Sequence, residues 1–319
     1  MNYYLFKLRF DTAVHFGTSD SALTLSSAED HFCADTLFSA LCHSAVSLYG
    51  SSAADRLCDD VRAGKLVLSD GMPWKGDSFY IPKPYLNSEI ALDVPETLRK
   101  KMKKLRWIAI DTFGSFFSSI RGEQIYEPED DRFGVREEHT KVQIKEMVAV
   151  PYPIGVFRFF DNCGLYFIAG TNDEASAKHL HTLLTGIGLS GFGGRGSTGY
   201  GRFQVVEMID LSKSEKPEHL FWQNALSAES GRYILLTTSM PDDAEWEETL
   251  HNAQYQVTRR GGFAHTESTP HAFKKRTQYF LSAGSVLTRR FRGALFAVGS
   301  KPTDRVFRYS VPIMLGVDL

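Results

Sequence analysis

The sequence predicts an α+β protein built from two ferredoxin-like domains in tandem, the first carrying a long insertion and a glycine-rich loop. Apolar periodicity over the first 210 residues alternates between period two and helical spacing. The resulting order is strand, helix, strand, insertion, strand, helix, loop, strand, which matches β-α-β-β-α-β. A polar stretch, 213–230, then reads as a linker to a degenerate copy of the same domain, short strands and one helix over 231–319. Just before the last strand of the first half (1–212), residues 186–201 (GIGLSGFGGRGSTGYG) hold eight glycines in sixteen positions.

Taken in order, Tyr4, Phe6, Leu8 and Phe10 alternate with Leu5, Lys7 and Arg9, the pattern of a half-buried strand. Asp35 stands where an N-cap would open a helix with the stripe Leu37, Phe38, Leu41, Ala45 and Leu48, which Gly50 ends. Asp35, Ser39 and His43 recur at four-residue spacing on one flank of that helix. Leu66–Leu68 reads as a short strand. In DSFYIPKPYL, Pro82 and Pro84 stiffen the backbone and are expected to hold Lys83 outward. Lys100–Lys104 with Arg106 forms a basic helix end, and 107–150 loses its period, as an insertion or a long hairpin outside the core does. Residues 155–170 read as two paired strands with Asn162 and Gly164 at the turn, followed by a helix from Glu174 to a stop at Gly186 and a strand over Phe203–Ile209. In the second half, Arg232–Thr238 is a strand, a helix opens at Pro241, TRRGGF (258–263) punctuates, and QYFLS, SVLT, ALFAV and VFRYSVPIML close the chain as short strands.

The glycine loop carries the clearest chemistry. Glycine permits positive φ, and successive inward-turned amides make a concavity suited to phosphate oxygens. Arg195 supplies a cation there, with Ser197, Thr198 and Tyr200 as further donors. GIGLSG and GFGGRG both satisfy G-x-G-x-x-G, but nucleotide loops need a strand entering and a helix leaving, and this order is reversed, with no P-loop lysine. A nucleotide-binding enzyme is therefore the weaker alternative, and the loop suits a phosphodiester backbone.

Composition agrees with a folded chain: 319 residues, 43% hydrophobic and 13% aromatic. Net charge is only −2, yet from Asn252 to Ser310 eleven Lys and Arg face two acids, while Glu123–Glu138 holds seven acids and two arginines. That split fits one phosphate-facing surface and one that is not. The four cysteines form no C-x-x-C pair, and paired metal-ligand acids are missing from the pattern, so no metal, cofactor or disulfide framework is expected. The alternating start MNYYLFKLRF and the lack of a spanning apolar run lead to the expectation of a cytoplasmic protein away from membranes.

The DTLFSALC helix start, the IPKP segment, the loop SGFGGRGSTGYGRF and the series YQVTRRGGF, KKRTQYFLSAGSV and FRYSVPIML together resemble the RAMP superfamily of CRISPR proteins. In detail they are similar to the group of type III-A (Csm) effector subunits that cap the 5′ end of the CRISPR RNA. The resemblance implies a non-catalytic crRNA-binding subunit with RRM-like halves gripping the 5′ tag. It also implies docking to a large polymerase-like (Cas10-type) subunit and a backbone RAMP subunit, with target RNA met only indirectly. Carried over, Gly193, Gly194, Arg195, Gly196, Ser197, Thr198 and Gly199 contact phosphates, with Tyr200 in the same loop. Arg259, Arg260, Gly261 and Gly262 do so from the second half, and Lys83, His15, Asp35 and Ser39 line the groove between. The insertion corresponds to a thumb, from which its acidic middle departs. Phe192, Tyr200 and Phe263 are available for stacking. The rival within the superfamily is a metal-independent RNA-processing endoribonuclease using His15 or His43 as acid or base.

Overall fold

Residues 1–17, 25–86, 94–145, 148–264, 273–299 and 305–318 are described in the computed structural model. Of the basic run and its acids, Lys301, Glu267 and Asp304 lie outside them. The first half runs β1 (Asn2–Phe10), α1 (Ala34–Tyr49), α2 (Ser52–Arg62), β2 (Leu66–Leu68), β3 (Met72–Lys75), β4 (Ser78–Pro82), α3 (Glu96–Lys104), β5 (Trp107–Ala109) and α4 (Phe113–Ile120). It continues through β6 (Gly134–Lys145), β7 (Val148–Phe159), β8 (Cys163–Thr171), α5 (Glu174–Ser190) and β9 (Phe203–Asp210). The remainder is α6 (Pro217–Ser227), β10 (Arg232–Leu235), α7 (Trp246–Leu250), β11 (Val257–Arg260), β12 (Phe263–Ala264) and β13 (Phe273–Lys274). It closes with β14 (Gln278–Leu281), β15 (Val286–Leu287), β16 (Ala294–Ala297), β17 (Phe307–Ser310) and β18 (Met314–Val317).

The first half is an antiparallel seven-stranded sheet, ordered β5-β4-β3-β8-β1-β9 with β2 also on β8. β1 lies between β8 and β9, and all nine residues of β8 are buried, which is why its sequence is apolar without alternation. β1 is more than half-buried for the same reason: Leu5 is enclosed as fully as Tyr4 and Phe6. α5 begins where the Asp173 carboxylate accepts from Ser176 N at 2.7 Å.

Several expectations are corrected by packing. α5 does not stop at Gly186 but runs to Ser190 and ends at Gly191, φ 95°. A Cβ at Gly188 would sit 2.2 Å from the Phe203 carbonyl oxygen, so this glycine brings helix and strand into contact rather than ending the helix. Strands β7 and β8 are consecutive but pair elsewhere, β7 with β6 over a long hairpin and β8 with β1. Phe160 N donates to Phe133 O, so the turn between them is held at the hairpin base. Residues 107–120 belong to the core: β5 pairs with β4, and Trp107, Ile108, Phe113 and Phe116 are buried. A three-residue strand and an eight-residue helix are too short to display a period, which is why this segment read as insertion.

The stretch taken as a linker contains α6, whose Trp222 is fully enclosed. The helix expected from Pro241 is only the five residues of α7, because the Asp242 carboxylate takes the amides of Ala244 and Glu245 into a capped turn. The second half has a three-stranded sheet, β15-β10-β18, and two-stranded ribbons β11-β14, β12-β13 and β16-β17. Its described residues do not complete a second ferredoxin-like pattern.

The two halves share one core. Ile234, Leu236, Tyr309, Ile313 and Leu315 pack in the same cluster as Phe6, Leu37 and Phe167. Backbone is stitched as well: Leu68 N donates to Tyr309 Oη at 2.6 Å, Thr237 Oγ1 to Leu68 O at 2.9 Å, and Asp70 N to Leu236 O at 3.0 Å.

Candidate nucleic-acid interface

The glycine loop is anchored at its ends and open at its tip. Phe192 N donates to Gly201 O, Gly201 N to Ala13 O and Gly194 N to His15 O, while Phe192 itself is buried against Phe16 and Phe32. At the tip Arg195 adopts the left-handed conformation (φ 64°), and Gly196–Thr198 forms a single 3-10 turn closed by the Thr198 and Gly199 amides. The amides of Arg195, Gly196 and Ser197 make no backbone hydrogen bond among the described residues. Three successive amides beside a left-handed residue have the concave arrangement that suits an anion. The Gly194 and Gly199 amides, by contrast, are already engaged, Gly194 by His15 O and Gly199 by Gly196 O within the loop. The Arg195 guanidinium lies over the Tyr152 ring of β7 at 5.6 Å. Tyr200 is buried, and its hydroxyl meets His139 Nδ1 of β6 at 2.8 Å. The Glu137 carboxylate accepts from the other ring nitrogen, Nε2, at 2.9 Å. The loop is thereby fastened to the hairpin.

A cleft of about 400 Å³ opens beside the loop. It brings together His15, Asp35, Ser39, Gly193, Gly194, Arg260 and Gly261, residues drawn from both halves of the chain. Asp35 is not the N-cap of α1; Cys33 occupies that position without a side-chain cap. The cap is supplied from 36 residues away by Asp70, whose carboxylate accepts from Ala34 N at 2.8 Å and from Thr238 N and Oγ1 at 2.9 and 2.6 Å. Burial pushes the Asp70 carboxyl up to about 6 despite these bonds.

Released from capping, Asp35 accepts two bonds from Arg260, at 2.5 and 3.2 Å, and lies 3.6 Å from Arg308. Burial would raise its carboxyl, but Arg260, Arg308 and Lys275 outweigh burial and hold it below the usual range. Three cations thus surround the Asp35 carboxylate, Arg260 and Lys275 from the cleft lining and Arg308 from beneath it. Arg308 is buried and donates to the carbonyls of Arg260, Gly261 and Arg276, fixing the TRRGG turn. Burial, and then the neighbouring Arg308 and Arg260, lower the Lys275 ammonium, against the pull of Asp35.

A second hollow, about 640 Å³, shares Glu29, His31, Cys33 and Thr258 with the first and extends it past Lys83, Lys103, Lys104 and Arg259. Lys83 does not point outward as expected; its ammonium donates to Met102 O at 2.6 Å, drawn to the carbonyl end of α3. Among the described residues, Glu29, Asp30 and His31 form the one trio close enough to share a cation. Arg106 already sits 3.3 Å from Asp30 and 3.6 Å from Glu29, so the acids serve an arginine.

Over 99% of its length the chain is 32% identical to the CRISPR system protein Csm4 of Mycobacterium tuberculosis, covering 98% of that protein. The chain belongs to the Csm4 family. The family described as the CRISPR Csm4 C-terminal domain matches residues 228–317. Csm4 of Streptococcus thermophilus is 28% identical, with both chains covered in full. Among solved structures, the Csm4 fold recurs in a Csm3-Csm4 subcomplex of a type III-A CRISPR-Cas interference complex (TM-score 0.64, 18% identity, 100% of both chains). It recurs also in a Csm1-Csm4 cassette in complex with cA4 (TM-score 0.62, 18% identity, 100% of this chain and 99% of that one).

Within this Csm4-family chain, sequence reasoning missed Asp70 and counted Lys275 and Arg308 only within the basic run, without their particular parts. Nothing local to Asp70 marks an acid whose partners are Ala34 and Thr238. Arg308 was legible only as one of many cations, because its carbonyl partners lie 32 to 48 residues away.

Proposed function

We propose that this chain is a non-catalytic subunit of a type III-A Csm interference complex that grips the 5′ tag of the crRNA in the cleft between its halves. The reading is supported by the amides of Arg195, Gly196 and Ser197, which make no backbone hydrogen bond among the described residues, beside a cleft lined by Arg260 and Lys275. Such an array holds phosphates with little regard for base identity. The hairpin β6-β7, to which the loop is fastened through Tyr200, serves as the thumb. The relatives' assemblies with Csm1 and Csm3 support docking of a large polymerase-like subunit and a backbone subunit, with target RNA met through them.

A binding role is favoured over an endoribonuclease by His15. Its Nδ1 donates to Gly155 O at 2.7 Å, the ring is buried, and its edge lies where a Cβ on Gly194 would come within 2.6 Å. It acts as a peg beneath the loop. The test is equilibrium binding of single-stranded tag RNA across a salt series. Arg195→Ala is expected to weaken binding and to flatten the salt dependence by about 0.7 log units per log unit of salt, the value for one single-strand phosphate contact. An unchanged slope, or site-specific RNA cleavage lost on His15→Ala, counts against the proposal.

A further inference from the structure

Ser39, His43 and Lys275 also line an adjoining, smaller recess of about 250 Å³, bordered by α1, α2 and the strands β12 and β17. Its walls are mixed, the apolar part formed by Phe38, Val46, Ala54, Phe263 and Phe307. The Asp55–Arg305 ion pair, 2.7 Å, is part of the lining, and Ser39 and His43 stand where it meets the cleft. Phe263 is 66% exposed, an unusual state for an aromatic ring beside a recess.

Backbone geometry aims that ring. Gly262, φ 111°, turns the chain directly after Arg260 and Gly261, so that Arg260 engages Asp35 in the cleft while Phe263 borders the cavity. Lys275 N donates to Gly262 O, and Phe263 pairs with Lys274, which fixes the turn. Consecutive residues therefore serve a charged floor and an aromatic recess.

We propose that this cavity receives a single unstacked nucleobase of the strand lying in the cleft, with Phe263 as its stacking face. The inference rests on the cleft binding single-stranded RNA. The volume falls below the roughly 300–1,000 Å³ of pockets that take drug-sized ligands, so it suits one ring system. Because Ser39, His43 and Lys275 border both hollows, a base seated in the recess leaves its phosphate within reach of the cleft. Splayed bases stacked on aromatic side chains are the usual route to reading single-stranded RNA. Ser39 and His43 are placed to meet the edge of such a base.

The test is abasic scanning with the full-length chain. Single-stranded tag RNAs, each lacking one base, are compared for affinity against wild type, Phe263→Ala and Phe263→Trp. One position is expected to lose about 5- to 150-fold in wild type, the range for one base–aromatic stack. That penalty disappears in Phe263→Ala and is kept in Phe263→Trp, and 2-aminopurine at the same position is quenched only where the ring is present. If RNA binds but every position costs the same, or if the penalty and quenching persist in Phe263→Ala, the cavity is not a base site while the cleft reading stands. If RNA does not bind at all, both fall together.

Discussion

Two aspartates exchange the roles that their local sequence suggests. Asp35 sits at a helix start and pairs with Arg260, whereas Asp70 sits in a turn and caps the helix. Removing Asp70 leaves the Ala34 and Thr238 amides unsatisfied in the interior, so Asp70→Ala is expected to cost about 3 kcal/mol in urea denaturation. The pH dependence has a definite sign. The Asp70 carboxyl is raised from 3.8 to about 6 in the folded chain, so the folded state holds a proton that the unfolded state has released. Its contribution is complete below about pH 4 and is lost as pH rises to about 6, worth ~3 kcal/mol over that window. Denaturation midpoints of wild type and Asp70→Asn measured from pH 4 to 6 should therefore diverge, with wild type falling relative to the variant. Arg260→Ala leaves a buried carboxylate without its main partner and should destabilise by about 3–5 kcal/mol. A loss of RNA binding in that variant is interpretable only once folding has been checked by circular dichroism.

At the scale of elements, the meeting of α5 with β9 depends on one missing methyl. Gly188→Ala drives a Cβ into the Phe203 carbonyl, a backbone atom that cannot swing away, and is expected to cost about 1–3 kcal/mol. Gly186→Ala meets only the Ser44 hydroxyl, at 2.9 Å, and should cost less, so thermal melts of the two variants rank the contacts. The helix, the glycine loop and the strand after it were legible in sequence because each carries its own periodicity or composition. The hairpin pairing was not. Residues 155–170 look like two strands meeting at a turn, and only the neighbours available in space make β7 pair with β6 and β8 with β1.

Across the whole molecule, the halves form one cooperative body. Their apolar residues share a cluster, and residues 68–70 are hydrogen-bonded to 236–238 and to Tyr309. Calorimetry should accordingly show a single unfolding transition, and residues 228–319 expressed alone should give collapsed, undispersed amide NMR signals. Two separate transitions would refute this. Within the described residues no helix is long and apolar enough to cross a membrane. By itself the sequence determined the α+β class, most of the strands and helices, the glycine loop and the basic character of the second half, because these follow from spacing and residue type within a few positions. Only the tertiary structure decided which acid caps α1, which cations remain available in the cleft, and that the halves share a core. Those outcomes rest on contacts between residues as much as 241 positions apart, whose electrostatics and burial exist only once the chain has closed on itself.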